Sequence, residues 1–303
     1  MPNWTDVLKE IISTGASGDV APLDTVRTKY LNLLSQKTGR NVIAYYSGFL
    51  QKPNLALAEI NDDDKNGFMA TVHTLDRAKG LDLLLHTPGG GTAATESLVD
   101  YLRQMFGTNI RTIIPQIAMS AGTMIACAGE EIIMGKHSNI GPIDPQFGGI
   151  PAHGVIAEFE KAVSEIKADP ATIPLWQTIV SKYHPTFLGE CENAIELSGQ
   201  IVKDWLVTGM LIDDPDKEST ADKIIHCLNN HADTKTHSRH IHIDEARDMG
   251  LIIKSIEDDF DDEFQDLVLT CHHAFMHTFA NSHALKIIEN QEGQMINTHA
   301  PDS

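Results

Sequence analysis

The chain has 303 residues, 42% of them hydrophobic, enough for one large domain or two ordinary ones around a substantial core. Its formal net charge is −19, and no cluster of Lys and Arg interrupts the acidity, which argues against nucleic acid and anionic lipid as partners. No window reaches the ~18 uninterrupted apolar residues of a membrane span. The start "MPNWTDVLKEIIS" lacks the basic-then-apolar pattern of an export signal, so a soluble, cytoplasmic protein is expected. Cys127, Cys191, Cys227 and Cys271 lie far apart with no CxxC, which suits reduced, buried thiols better than a disulfide framework or a zinc site.

In chain order, residues 1–35 carry Val7, Leu8, Ile11 and Ile12, then Val26, Tyr30, Leu31 and Leu34, at helical spacing; one or two helices are expected to pack on the body as an extension. "RNVIAYYSGF" reads as a strand, "DDDKNGFMATVHTL" as an acidic turn entering a helix, and "LDLLLH" as a second strand. The rhythm then becomes regular: strand 81–86, glycine loop 88–91, helix 92–106, strand 110–117, a serine turn, a helix to about 128, and strand 131–134. Short, continuously apolar strands alternating with helices predict an α/β fold with a mainly parallel sheet covered on both faces. After Pro151 the chain turns helical, with Val155, Ile156, Phe159, Val163 and Ile166 on one predicted face and "CENAIELSGQIVKDWL" on a second helix. The acidic "EDDFDDEF" is expected to be solvated surface, and "NQEGQMINTHAPDS" a frayed polar tail.

Two turns carry chemistry. Ser120 follows a buried strand directly and precedes Ala121, Gly122 and Thr123 at a helix start, where unpaired N–H groups can stabilise an oxyanion. "HTPGGG" (86–91) also joins a strand end to a helix start, and its glycines expose N–H groups with no side chain in the way. Consecutive parallel strands bring both loops to one carboxyl edge, where sites in such sheets form. Taken singly, a strand-Ser-Ala-Gly-helix turn is more often a tight packing corner, and a glycine triplet more often only a loop.

As an ordered set, "LLLHTPGGG", "PQIAMSAGTMIACAGEEIIMG" and "SNIGPIDPQ" resemble the Clp/crotonase-type serine peptidases, most closely the serine dehydrogenase proteinase family, relatives of signal peptide peptidase A. The resemblance runs over about residues 25–255, including "GRNVIAYYSG", "YHPTFLGECENAI" and "HIDEARDMGLI". It implies a Clp/crotonase-like spiral of repeated β-β-α units with a mainly parallel sheet and a helical C-terminal part. The expected division is a helical extension over 1–35, a peptidase domain over 36–260, and a C-terminal helix and polar tail over 261–303. It also implies Ser120 as nucleophile, an oxyanion hole from the N–H groups of Gly90, with Gly89, and of Ala121, no cofactor, a peptide or unfolded protein as substrate, and self-association into a homo-oligomer.

The base is less direct. In Clp protease subunits a histidine follows the nucleophile, but that neighbourhood here reads "GPIDPQ", with Asp144 where the histidine is expected. The signal peptide peptidase relatives use a lysine, and Lys161 stands at a matching separation from Ser120, so a Ser-Lys dyad is favoured over a Ser-His-Asp triad. Such a lysine acts only if burial or a nearby cation lowers its pKa. Lys167, His153 and His184 are the alternatives.

"HSRHIH", with His237, His240 and His242, and "CHHAFMH", with His273 and His277, invite a metal reading, but no matching acidic or cysteine partner is evident and no metal is expected. "NDDDKNG" lacks the later glutamate of a calcium loop. Two other readings share the fold: a crotonase-type acyl-CoA enzyme, for which Glu130 is the nearest acid after the serine turn, and an inactive assembly scaffold. The sequence has no GxxxxGK[ST] motif, so any ATP-driven unfolding requires another chain.

Overall fold

The computed structural model describes residues 4–229 and 236–301. Two helices open it, α1 (Trp4–Ala16) and α2 (Pro22–Thr38). Proline suits the first turn of α2, where no intrahelical N–H is needed. The helix stops where Gly39 takes φ 69° and donates to Ser35 O at 2.8 Å. The alternation then runs through β1 (Asn41–Ser47), α3 (Asp64–Val72), β2 (Leu81–His86), α4 (Thr92–Phe106), β3 (Ile110–Ile114), β4 (Ile117–Ala118), α5 (Ala121–Cys127) and β5 (Glu131–Met134). Short strands β6 (Asn139–Ile140), β7 (Gln146–Phe147) and β8 (Ile150–Pro151) lead into α6 (Ala152–Ala168), α7 (Ile173–Val180), α8 (Phe187–Thr208) and α9 (Lys217–Asn229). The last elements are α10 (Ile243–Met249), β9 (Ile253–Ser255), α11 (Asp262–Asn281), β10 (Ala284–Asn290) and β11 (Met295–His299).

Seven strands form one sheet in the order β11-β10-β1-β2-β3-β5-β9. From β1 to β9 every pairing is parallel, while β10 runs antiparallel to both β1 and β11. The fold is therefore α/β with a mostly parallel mixed sheet and a helical C-terminal part. β4 leaves the main sheet and pairs with β6 in a small second layer.

The strands are covered on both faces, and alternate residues serve two cores. Ile43 and Tyr45 of β1, with Leu81, Leu83 and Leu85 of β2, face the core shared with α4, α5, α8 and α9. Val42, Ala44, Tyr46 and Leu84 face the opposite core, built with α2 and α11. Truncating a fully buried leucine such as Leu83 to alanine costs about 2–5 kcal/mol.

The first helices are bound tightly to this second core. Arg27 of α2 is fully buried, 2.7 Å from Glu289 of β10 and donating to Thr278 of α11 at 2.9 Å. Removing its guanidinium leaves a buried carboxylate uncompensated, a loss of about 3–5 kcal/mol.

Two expectations need correction. The stretch "NQEGQMINTHAPDS" is not frayed over its described residues: Asn290 ends β10, and Met295–His299 form β11, the edge strand paired antiparallel with β10. β10, which precedes and joins it, is buried along its whole length with its polar side chains paired inside, Lys286 with Asp64 at 2.6 Å, Glu289 with Arg27, and Asn290 Nδ2 with Thr71 O at 2.7 Å. On α6 the buried set is Ala152, Val155 and Ala162, and Val163, expected on the inner face, is 52% exposed. This helix packs at the margin of the body, against α8 around Phe187 and Cys191, so a narrow stripe suffices.

Among the described residues no helix is long and apolar enough to cross a membrane.

Candidate active site

The carboxyl ends of β2 and β3 carry the two loops. Thr87 N–H donates to Ile117 O at 3.1 Å, and Met119 N–H donates to Thr87 O at 3.0 Å, so the loops are laced side by side. Their closeness dictates their small residues. A Cβ on Gly89 would stand 2.7 Å from Ser120 Cβ and 2.7 Å from Met119 O, and Gly89 has φ 100°. One on Gly122 would meet Thr87 Cγ2 at 2.5 Å.

Ser120 itself is held at φ 51° and ψ −117°, immediately before α5. A side-chain-bearing residue in that region stores about 1–3 kcal/mol of strain and persists only where its surroundings hold it. Here the ties are Ser120 O, which accepts Met124 N–H at 3.1 Å, and Met119 O, which accepts Gly122 N–H at 2.8 Å.

A strap before α3 holds the glycine loop from the other side. Ile60 N–H donates to Gly89 O at 2.8 Å and Ile60 O accepts Gly91 N–H at 2.9 Å. A Cβ on Gly90 would lie 2.3 Å from Ile60 N. Glycine is thus required at position 90 by backbone contact, beyond any ligand that occupies the cleft. Gly89 N–H donates to Thr87 Oγ1 at 3.2 Å. Among the described residues the N–H groups of Gly90 and Ala121 have no acceptor.

These elements border a cavity of about 870 Å³ that includes Ser120, Gly90, Met124, Phe147 and His237 in its lining. That volume is in the range of ligand clefts. His237 Nδ1 is 2.7 Å from Oδ1 of Asp144, whose side chain is fully buried. Gln146 Nε2 donates to the other carboxylate oxygen at 2.9 Å. A buried carboxylate needs such partners. An ionised Asp144 accepts Nδ1–H, which leaves the His237 Nε2 lone pair as a proton acceptor.

The lysines and histidines proposed from sequence stand elsewhere. Lys161 Nζ is 3.8 Å from Glu165 Oε1 on the outer side of α6, its side chain 67% exposed. Lys167 is exposed near the end of the same helix. His184 is 3.7 Å from Glu190 Oε2 and packs its ring against Phe187. His153 sits in the first turn of α6, with Nε2 buried and lacking a partner among the described residues. None of the four lines the Ser120 cavity, and neither does any other lysine or any arginine among the described residues.

Sequence reasoning passed over both members of the His237–Asp144 pair. Asp144 reads locally as a missing histidine, and His237 belongs to a histidine-rich run that suggests metal. The available signal was an acid and one histidine of a run, each a few residues ahead of a helix, too common to single out. Glu130 lies at the opposite, amino edge, 3.6 Å from Arg40 just before β1, which separates it from Ser120. His277 Nε2 is 2.9 Å from Trp4 O, and among the described residues no three His, Cys, Asp or Glu side chains group to hold a metal.

Beneath the cleft, His86 at the end of β2 is completely buried, its ring nitrogens 3.1 Å from Ser47 O and 3.2 Å from Gln116 Oε1. Burial holds its pKa down to about 4 despite both hydrogen bonds. His272 of α11 faces it at 5.5 Å between ring centroids, and burial lowers its pKa as well.

A family model described as ClpP-like SDH-type serine proteinase matches residues 19–268. The chain is also similar to two uncharacterized proteins of Methanocaldococcus jannaschii. One is 32% identical over 158 residues, 50% of this chain and 54% of the relative; the other is 31% identical over 138 residues, 44% and 46% respectively. The chain spans about half the length of the curated relatives it matches.

Proposed function

Because the chain belongs to the ClpP-like SDH-type serine proteinase family, we propose that it hydrolyses peptide bonds through an acyl-enzyme on Ser120, with His237 as general base and Asp144 as its orienting acid. The observation that carries this reading is the His237–Asp144 contact at the wall of the cavity that also contains Ser120. An imidazole is a general base suited to near-neutral pH, whereas a lysine must first be desolvated. The exposure of Lys161 and its pairing with Glu165 favour His237 over the dyad expected from sequence.

The steps follow from the groups present. Ser120 Oγ attacks the substrate carbonyl carbon while its proton passes to His237 Nε2. The carbonyl oxygen, now an oxyanion, accepts hydrogen bonds from the N–H groups of Gly90 and Ala121, and each such donor is worth about 3–4 kcal/mol in the transition state. His237 returns the proton to the leaving nitrogen as the C–N bond breaks. Water then repeats the sequence in reverse to release the acid and restore Ser120.

The substrate is a peptide or unfolded segment, since the cleft is an open groove with backbone donors and apolar walls such as Met124 and Phe147. All four cysteines are free, which fits a reducing, cytoplasmic setting. Self-association is supported by apolar surface on the α6–α7 lobe, where Val163 and Leu175 are 52% and 59% exposed.

The test is labelling by a fluorophosphonate probe together with hydrolysis of a quenched peptide library. Label and turnover are both expected in the wild type and absent in Ser120→Ala. Turnover that survives Ser120→Ala defeats the proposal, and labelling of Ser120 without turnover of any peptide favours a scaffold.

A further inference from the structure

Glu59 is the only carboxylate among the described residues that line the Ser120 cavity. Its side chain is exposed, and among the described residues its carboxylate has no hydrogen-bond or ion-pair partner. The backbone beneath it is fixed. Lys286 Nζ donates to Glu59 O at 2.8 Å, and Lys286 is itself 2% exposed and 2.6 Å from Asp64 Oδ1. Asp64 Oδ2 in turn accepts Tyr45 O–H at 2.8 Å and Asn61 N–H at 2.9 Å. The next residue, Ile60, is the one laced to Gly89 and Gly91. A buried ion pair thus anchors a strap that holds Glu59, with its exposed side chain, among the residues lining the cleft beside the glycine loop.

We propose that the Glu59 carboxylate selects peptide substrates carrying a lysine or arginine side chain close to the scissile bond, an assignment that rests on the peptidase reading of the same cleft. Among the described residues no lysine or arginine lines the cavity to pair with Glu59, which leaves its carboxylate open to a substrate cation. The cleft is only partly screened from water, and the pair should therefore favour such substrates modestly, by about fivefold. The net charge of −19 adds a diffuse attraction for cationic chains, which falls within the salt-screening length and does not distinguish one peptide position from another.

The test uses short, acetylated and amidated fluorescent peptides in which lysine, norleucine or glutamate is placed at each position in turn. Binding is read by anisotropy on Ser120→Ala, and hydrolysis on the wild type. At one or more positions the lysine peptide should bind Ser120→Ala about fivefold more tightly than the norleucine peptide. That ratio should fall to about one when Glu59→Gln is added, and Glu59→Lys should turn the preference toward glutamate. The Tm of each variant checks that it is folded. A lysine preference that Glu59→Gln leaves in place assigns it to overall charge and overturns the proposal, as does the absence of any lysine preference or of any binding. Glu59-dependent binding without hydrolysis in the wild type overturns the peptidase reading and leaves the recognition standing; hydrolysis without a Glu59-dependent preference does the reverse.

Discussion

His237, on the wall of the cavity that contains Ser120, holds its Nδ1 2.7 Å from a carboxylate oxygen of Asp144, a fully buried side chain 93 residues earlier in the chain. This contact makes a discriminating prediction. His237→Ala and Asp144→Asn should each lower kcat by about 10³–10⁴-fold, the second because an amide no longer holds the productive tautomer. Lys161→Ala should keep nearly all activity, since that side chain pairs outside the cleft. Steady-state kinetics on the three variants decide the base; loss of turnover in Lys161→Ala with normal turnover in His237→Ala would restore the lysine mechanism.

The strained backbone at Ser120 predicts opposite effects on stability and activity. Ser120→Gly relieves φ 51° at the cost of unfolded-state entropy, and should raise stability by about 1 kcal/mol relative to Ser120→Ala, with both inactive. Thermal melts of the pair measure this directly. Equal melting temperatures would mean that the strain relieved is no larger than the entropic cost of the glycine.

Gly90→Ala tests the strap. Its Cβ would stand 2.3 Å from Ile60 N, a backbone atom that cannot rotate away. The loop or the strap must shift, with an expected loss of about 1–3 kcal/mol of stability and about 10²–10³-fold in kcat as the N–H leaves its position. Chemical denaturation and kinetics on the same preparation check both. A variant with wild-type stability and turnover removes this loop from the oxyanion hole.

Acid should weaken the fold through the histidines under the cleft. The pKa of His86 is lowered to about 4 from 6.5 by burial, so the unfolded chain binds its proton first as pH falls. Stability is therefore full above about 6.5 and declines as pH drops toward 4, by up to about 3 kcal/mol for this residue. His272 adds in the same direction. His86→Asn should flatten the decline measured by denaturant titration between these pH values. An unchanged slope would place the acid sensitivity elsewhere.

Periodicity and turn chemistry make much of the fold legible without coordinates. β2, α4 and β5 occupy 81–86, 92–106 and 131–134, because each is a local pattern: an apolar run, a stripe, a glycine stop. The meeting of the glycine loop with the Ser120 turn also follows from sequence, since consecutive parallel strands end on one edge. What the tertiary structure alone decides are the pairings across long chain separations. Lys286 and Glu289 carry no sequence sign of burial, and Asn290 heads the expected tail, until Asp64, Arg27 and Thr71 supply buried partners for them. His237 is one histidine among several until the fold sets it against Asp144 and into the cavity of Ser120. A hydrogen bond between side chains leaves no periodic trace in the chain that makes it, so only the closed structure tells a buried ion pair from surface polarity, and the histidine of the cleft from those on the outside.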